Sequence, residues 1–110
     1  MDADVRGALE RTKALIERGW CQNQPHDGDK RCLVGALAEA TTKVDSDRMS
    51  FQVWGDCLRA LINCLPDRYE NLVRFNDDNL VRFNDDLVRF NDDEKTTQSD
   101  VLALIDRALS

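Results

Sequence analysis

Apolar positions recur with a helical period along most of the chain. Val5, Ala8, Leu9, Thr12, Leu15 and Ile16 follow i, i+3, i+4 spacing with Arg6, Glu10, Arg11, Lys13 and Glu17 opposite, which predicts an amphipathic helix over residues 4–18. Asp2 or Asp4 can cap its first free amides, and Gly19 suits a left-handed C-cap. Trp20 follows that stop and is expected to fold back onto the core. Residues 21–30 (CQNQPHDGDK) then read as a polar loop, with Pro25 and an Asp27-Gly28 turn signal. Residues 32–40 (CLVGALAEA) put Leu33, Ala36, Leu37 and Ala40 in phase for a short, central helix. Gly35 within it costs about 1 kcal/mol against alanine, which makes sense where a second helix must approach closely. After a polar stretch over 41–48, Ser50 is expected to cap a helix striped by Phe51, Trp54, Cys57, Leu58, Leu61, Ile62 and Leu65 and stopped by Pro66. Thr97-Gln-Ser-Asp100 has capping-box form, with Asp in place of the usual Glu or Gln. It precedes a last amphipathic helix carrying Val101, Leu102, Ile105, Ala108 and Leu109. With no alternating strand outside one repeated segment, the pattern predicts an all-α fold, a compact bundle of about four to five helices.

The repeated segment breaks the pattern. Leu72-Val-Arg-Phe-Asn-Asp-Asp78 recurs unchanged at Leu80–Asp86 and Leu87–Asp93. Asn71 and Asn79 open the first two copies and nothing separates the third, so the period slips from eight residues to seven. That slip excludes a regular solenoid, and identical copies point to a recent duplication or a designed one. On one continuous helix the Leu-Val-x-Phe groups would rotate by about +80° over the eight-residue step and about −20° over the seven-residue step. The apolar stripe would be broad but joined, and it could lengthen one helix of the bundle. Arg74 with Asp78, and Arg82 with Asp86, stand at i, i+4 in the weaker orientation. Asp77 and Asn84 fall inside the stripe, and Asn-Asp-Asp suits caps and turns, so a frayed or broken helix rivals a continuous one. Short strands on Asn-Asp turns are a third reading, with too little alternation behind it.

Charge and length narrow the setting. A chain of 110 residues is one domain that can bury a core unaided. With 15 Lys and Arg against 21 Asp and Glu it carries −6, and no segment gathers enough cations to neutralise several phosphates, which disfavours nucleic acid. No run reaches the roughly 20 apolar residues of a bilayer span, and the first residues lack the parts of a signal peptide. A cytoplasmic location with no membrane association is expected, and with it reduced thiols at Cys21, Cys32, Cys57 and Cys64. On one helix Cys57 and Cys64 would stand about 10 Å apart, beyond the roughly 5.5 Å that a disulfide prefers.

Little in the sequence points to chemistry. Cys21, His26 and Cys32 have C-x4-H-x5-C spacing and could enter a tetrahedral zinc set with another cysteine. No close C-x2-C knuckle supports that set, and Cys32, Cys57 and Cys64 lie on apolar helical faces, where a thiol acts as a small hydrophobe. His26 is the one histidine, in a polar loop where solvation suffices to explain it. The Asn-Asp-Asp triplets offer hard oxygen ligands but neither EF-hand spacing nor the glycines of a calcium roll. No nucleotide-loop, zinc-protease or nucleophile-elbow pattern occurs. The expectation is therefore no enzyme and no cofactor. Trp20, Phe51 and Trp54 are core anchors in the simplest reading and an interaction surface for a protein partner in the sharper one.

The residues Ala14-Leu-Ile-Glu-Arg-Gly-Trp20, Cys32-Leu-Val-Gly-Ala-Leu37, Phe75-Asn-Asp or its copies, and Asp100-Val-Leu-Ala-Leu-Ile-Asp-Arg-Ala-Leu109 together resemble a family of small bacterial all-helical domains of unknown function. The resemblance implies a helical fold and one aromatic-Asn-Asp element leading into the final helix. Three copies here imply an insertion of about 15 residues within 71–93, with the third copy expected in the original place. A non-enzymatic interaction or regulatory module is the first functional expectation. A cysteine/histidine metal or redox protein is the second, and an engineered or recently duplicated chain that probes fold tolerance is the third.

Overall fold

A computed structural model describes residues 2–42, 50–65 and 80–110. These form five helices, α1 (Ala3–Arg18), α2 (Leu33–Thr41), α3 (Ser50–Ile62), α4 (Leu80–Asp92) and α5 (Gln98–Leu109), with a two-stranded hairpin, β1 (His26–Asp27) and β2 (Lys30–Arg31), between α1 and α2. The chain is thus mostly helical, as its periodicity predicts. The first repeat copy, Pro66 and most of the 41–48 stretch lie outside the described residues.

Local chemistry sets the element boundaries. Asp2 caps α1, its carboxylate accepting the Asp4 amide at 2.8 Å. Thr97 caps α5 in the expected box: its hydroxyl accepts from the Asp100 amide while the Asp100 carboxylate accepts from the Thr97 amide, so two of the free N-terminal donors are satisfied at once. Gly19 ends α1 in extended conformation, φ 170° and ψ 139°, rather than in the expected left-handed cap. The chain leaves α1 straight because the exit segment pairs with the hairpin: Arg31 donates to Gly19 O at 3.0 Å and Cys21 to Arg31 O at 3.2 Å. The loop read over 21–30 therefore contains a short antiparallel ladder, too brief for any alternation to reveal, turned at Gly28 with φ +61°. Ser50, expected as a cap, is the first residue of α3.

α1 is the element on which the bundle assembles. It packs against α2, α5 and α3, while α4 lies against α3 and α2. Leu9 and Ile16 of α1, Leu33 and Leu37 of α2, Leu58 and Leu61 of α3, Leu87 and Phe90 of α4, and Leu104 and Ile105 of α5 are buried in one core. Each such side chain contributes roughly 1.5–3 kcal/mol by leaving water. In α5 the stripe is rotated from the one predicted, with Leu104 fully buried and Leu102 and Leu109 only partly covered. The buried hydroxyls of Thr12 and Thr41 donate to carbonyls one turn back, at Ala8 and Leu37. Polar ties pin the helices at their edges. Lys13 pairs with Asp106 at 2.8 Å between α1 and α5, Gln98 donates to Ile16 O at 2.7 Å, and the Arg11 guanidinium donates to Ala40 O at 3.2 Å, near the electronegative end of α2.

Gly35 marks a close approach, but not by a helix. A Cβ there would run into the carbonyl of Pro25, which itself accepts the Cys32 amide at 3.1 Å. The loop backbone thus lies against the first turn of α2.

Candidate functional site

The second and third repeat copies form one unbroken helix, α4. Phe83, Leu87 and Phe90 fall on its buried face, with Asp86 and Asn91 beside them. Seven residues turn the helix by about −20° relative to a whole number of turns, so matching residues of the two copies share a face. What differs is the structure opposite them. Asn84 is half-buried, whereas its counterpart Asn91 is completely covered.

Asn91 is the centre of a polar node. Its Oδ1 accepts from Trp20 Nε1 at 2.7 Å and from the Leu33 amide at 3.0 Å, and its Nδ2 donates to Cys21 O at 3.1 Å and to Asp92 Oδ1 at 2.9 Å. Around it, Gln22 Nε2 donates to Asn91 O and Asp93 O at 3.0 and 2.9 Å, and the Asn23 amide donates to Asp92 Oδ1 at 2.8 Å. The segment after α1 thereby satisfies carbonyls that the end of α4 leaves without helical partners. Asn91 was not among the expected site residues. Its signal is the aromatic-Asn-Asp motif, of which the third copy is the one expected in the original place. Trp20, expected as either core anchor or partner surface, is half-buried and spends its indole N–H on this node.

Phe51 and Trp54 stand elsewhere. Their rings lie 5.5 Å apart, inclined by 38°, with Phe51 63% exposed and Trp54 partly buried against the core. A groove of about 410 Å³ beside them is lined by Phe51, Gln52, Gly55, Asp56, Arg59 and Leu80. Gly55 lets α4 approach, since a Cβ there would sit 3.2 Å from a Leu80 methyl. Arg59 and Asp56 pair at 3.2 Å on the same wall. Leu80 and Asn91 are about 16 Å apart along α4, so the structure does not join Trp20 to the Phe51–Trp54 pair. Val81, which follows Leu80, is 72% exposed.

Cys21, Cys32 and Cys57 each make a contact within the fold. Cys32 is the N-cap of α2, its thiol accepting the Gly35 amide at 3.2 Å. Burial pushes that thiol above its usual range, against the opposing pull of the Gly35 amide. Cys21 donates to Gln24 O at 3.5 Å and is likewise pushed up, chiefly by burial and then by Asp27. Cys57 is fully buried, with its thiol 3.9 Å from Val5 O. All four cysteines are free thiols. His26 is exposed on β1. Among the described residues no group of three or more His, Cys, Asp or Glu side chains is placed to hold a metal ion, so Cys21, His26 and Cys32 are not assembled into a ligand set. A second cleft, of about 190 Å³, lies between α1 and the end of α2, where Arg11 is already bonded to Ala40 O and Glu39 to Arg31. Among the described residues no helix is long and apolar enough to cross a membrane.

A bundle founded on α1, with a Cys-capped small-residue helix and an aromatic-Asn-Asp node ahead of the final helix, defines a small, mostly helical domain. A family model described as "Family of unknown function (DUF6197)" matches residues 1–110, and the chain belongs to that family. No curated protein and no solved structure matches it.

Proposed function

We propose that this domain is a non-enzymatic interaction module that docks a protein partner at the groove beside Phe51. The observation that carries the proposal is the 63% exposure of Phe51 on the wall of that groove. Aromatic side chains beside a groove are the usual anchors of protein interfaces, and Phe51 is held in place by Trp54 behind it. The distinctive polar side chains support this division of labour, since Asn91, Cys32, Thr97 and Asp100 are committed to bonds that hold the fold together.

The test compares wild type with Phe51→Asp, first confirming equal helical content and cooperative unfolding. A protein captured by wild type and not by Phe51→Asp, which also binds when both components are purified, supports the proposal. Equal capture of every partner by both forms overturns it.

A further inference from the structure

Beyond heterotypic docking, we infer that the outer face of α4 pairs with the same face of a second copy of this chain, antiparallel and about a two-fold axis at the level of Leu87. Arg82, Asp85 and Arg89 are exposed along this face, with Val88 and Asp92 partly so. Asp85 and Arg89 lie two residues either side of Leu87, and Arg82 and Asp92 five residues either side, with opposite charges in each couple. Reversing a copy of the helix about that level sets Asp85 against the copy's Arg89 and Arg82 against its Asp92. Each pairing occurs twice, as the self-complementary contact of a two-fold dimer requires.

The seven-residue spacing of the last two repeats produces this arrangement. It places Val81 and Val88, Arg82 and Arg89, and Asp85 and Asp92 one heptad apart, the spacing that keeps matching residues on one seam between two helices. Val88, one residue from the axis, meets its own counterpart there. The inner couple carries the contact. Asp92 also accepts from the Asn23 amide and from Asn91, and Arg82 has contacts within its own chain. Arg89 is 69% exposed and lies 3.7 Å from Asp86, a loose pairing that leaves it able to reach across. Two 13-residue helices, each about 20 Å long, bury less than the roughly 1,200 Å² of standard interfaces, so the dimer is weak, transient and salt-sensitive.

Sedimentation equilibrium at low salt, up to millimolar protein, tests this on wild type, Asp85→Arg, Arg89→Asp and an equimolar mixture of the two variants. Each reversal alone should weaken self-association roughly tenfold, since it replaces two attractions with two repulsions. The mixture should restore it, because Arg at 85 of one chain then faces Asp at 89 of the other. An Asp85–Arg89 pair within one helix would give no rescue on mixing. A monomeric wild type, a dimer indifferent to both reversals, or a mixture that remains dissociated overturns the inference. If either reversal impairs folding, Asp85→Asn and Arg89→Gln serve instead, and their failure to weaken the dimer has the same force. Phe51 is outside the seam, so Phe51→Asp should self-associate normally. A monomeric wild type whose partner capture still depends on Phe51 would remove this inference alone.

Discussion

Asn91 accepts the indole proton of Trp20 at 2.7 Å from a position with no exposure to solvent. The same amide serves Leu33 and Cys21, so one side chain joins the end of α4 to the exit of α1 and the entry of α2. Asn91→Ala would leave the indole N–H of half-buried Trp20, the Leu33 amide and the Cys21 carbonyl without this partner. Unsatisfied buried groups cost about 1–3 kcal/mol each, and urea unfolding should show a total loss of about 3 kcal/mol or more. Asn84→Ala, at the same place in an identical heptapeptide, should fall within about 0.5 kcal/mol of wild type. Equal losses at the two positions would contradict the node.

Glycine substitutions on neighbouring helices should have opposite signs. Gly35→Ala forces a methyl group into the Pro25 carbonyl, backbone that cannot swing aside. Overpacking of that kind costs about 1–3 kcal/mol, more than the roughly 1 kcal/mol gained in helix propensity. At Gly7 the added methyl meets only the far end of Arg11 at 3.3 Å, and Gly7→Ala should stabilise by up to about 1 kcal/mol. Melting temperatures of the two variants should move in opposite directions.

Alkaline pH should weaken the fold partly through its thiols. The Cys21 and Cys32 thiols are held above their usual range, so the unfolded chain loses these protons first as pH rises. The stability they contribute is whole below about pH 8.5 and declines as pH climbs through their folded values. Cys32→Ala should be less stable at neutral pH, having lost the acceptor for the Gly35 amide, with a shallower decline between pH 8 and 10. Parallel pH profiles for wild type and Cys32→Ala would refute the linkage.

Deleting Asn79–Asp93 tests the proposed insertion. The first copy would then join Glu94 directly, placing Phe75 and Asn76 in the positions of Phe90 and Asn91 but Arg68 in that of Phe83. Phe83 is 3% exposed, and loss of a buried phenylalanine costs about 3–5 kcal/mol. The shortened chain should keep its helical circular dichroism and unfold at lower denaturant. Unchanged or greater stability would show that the second copy adds nothing to the core.

Helix periodicity made α1, α2, α3 and α5 readable, because each needs one apolar side against the core. The α5 box was legible for a different reason: Thr97 and Asp100 interact within one turn. The features missed depend on partners distant in sequence. Asn91 and Asn84 stand in identical heptapeptides and differ only in that the third copy leads to the Thr97 cap. That marks a place in the chain but not the bonds to Trp20, Leu33 and Cys21, and nothing near Gly35 reveals that its neighbour is a loop carbonyl. The hairpin has two residues per strand, fewer than alternation needs. Gly19 avoids the left-handed region because pairing with Arg31 holds it extended. Of the residues expected to meet a partner, Phe51 is exposed and Trp20 is bonded inward, a distinction that composition cannot make.

The seven-residue identity within α4 also shapes the folding landscape. Sliding the helix by one copy would bring Asn84 to Trp20 and Phe83 to the place of Phe90, with the same side chains making the same contacts. The slipped arrangement would differ mainly in the residues left over before α5 and in what fills the vacated level below. The slipped register keeps the contacts around Asn91 but sets Asn76 at the level of Phe83, so it is a higher-lying trap, a local ambiguity that most sequences avoid. Refolding should therefore divide between a direct route and one that must first release α4 and re-dock it.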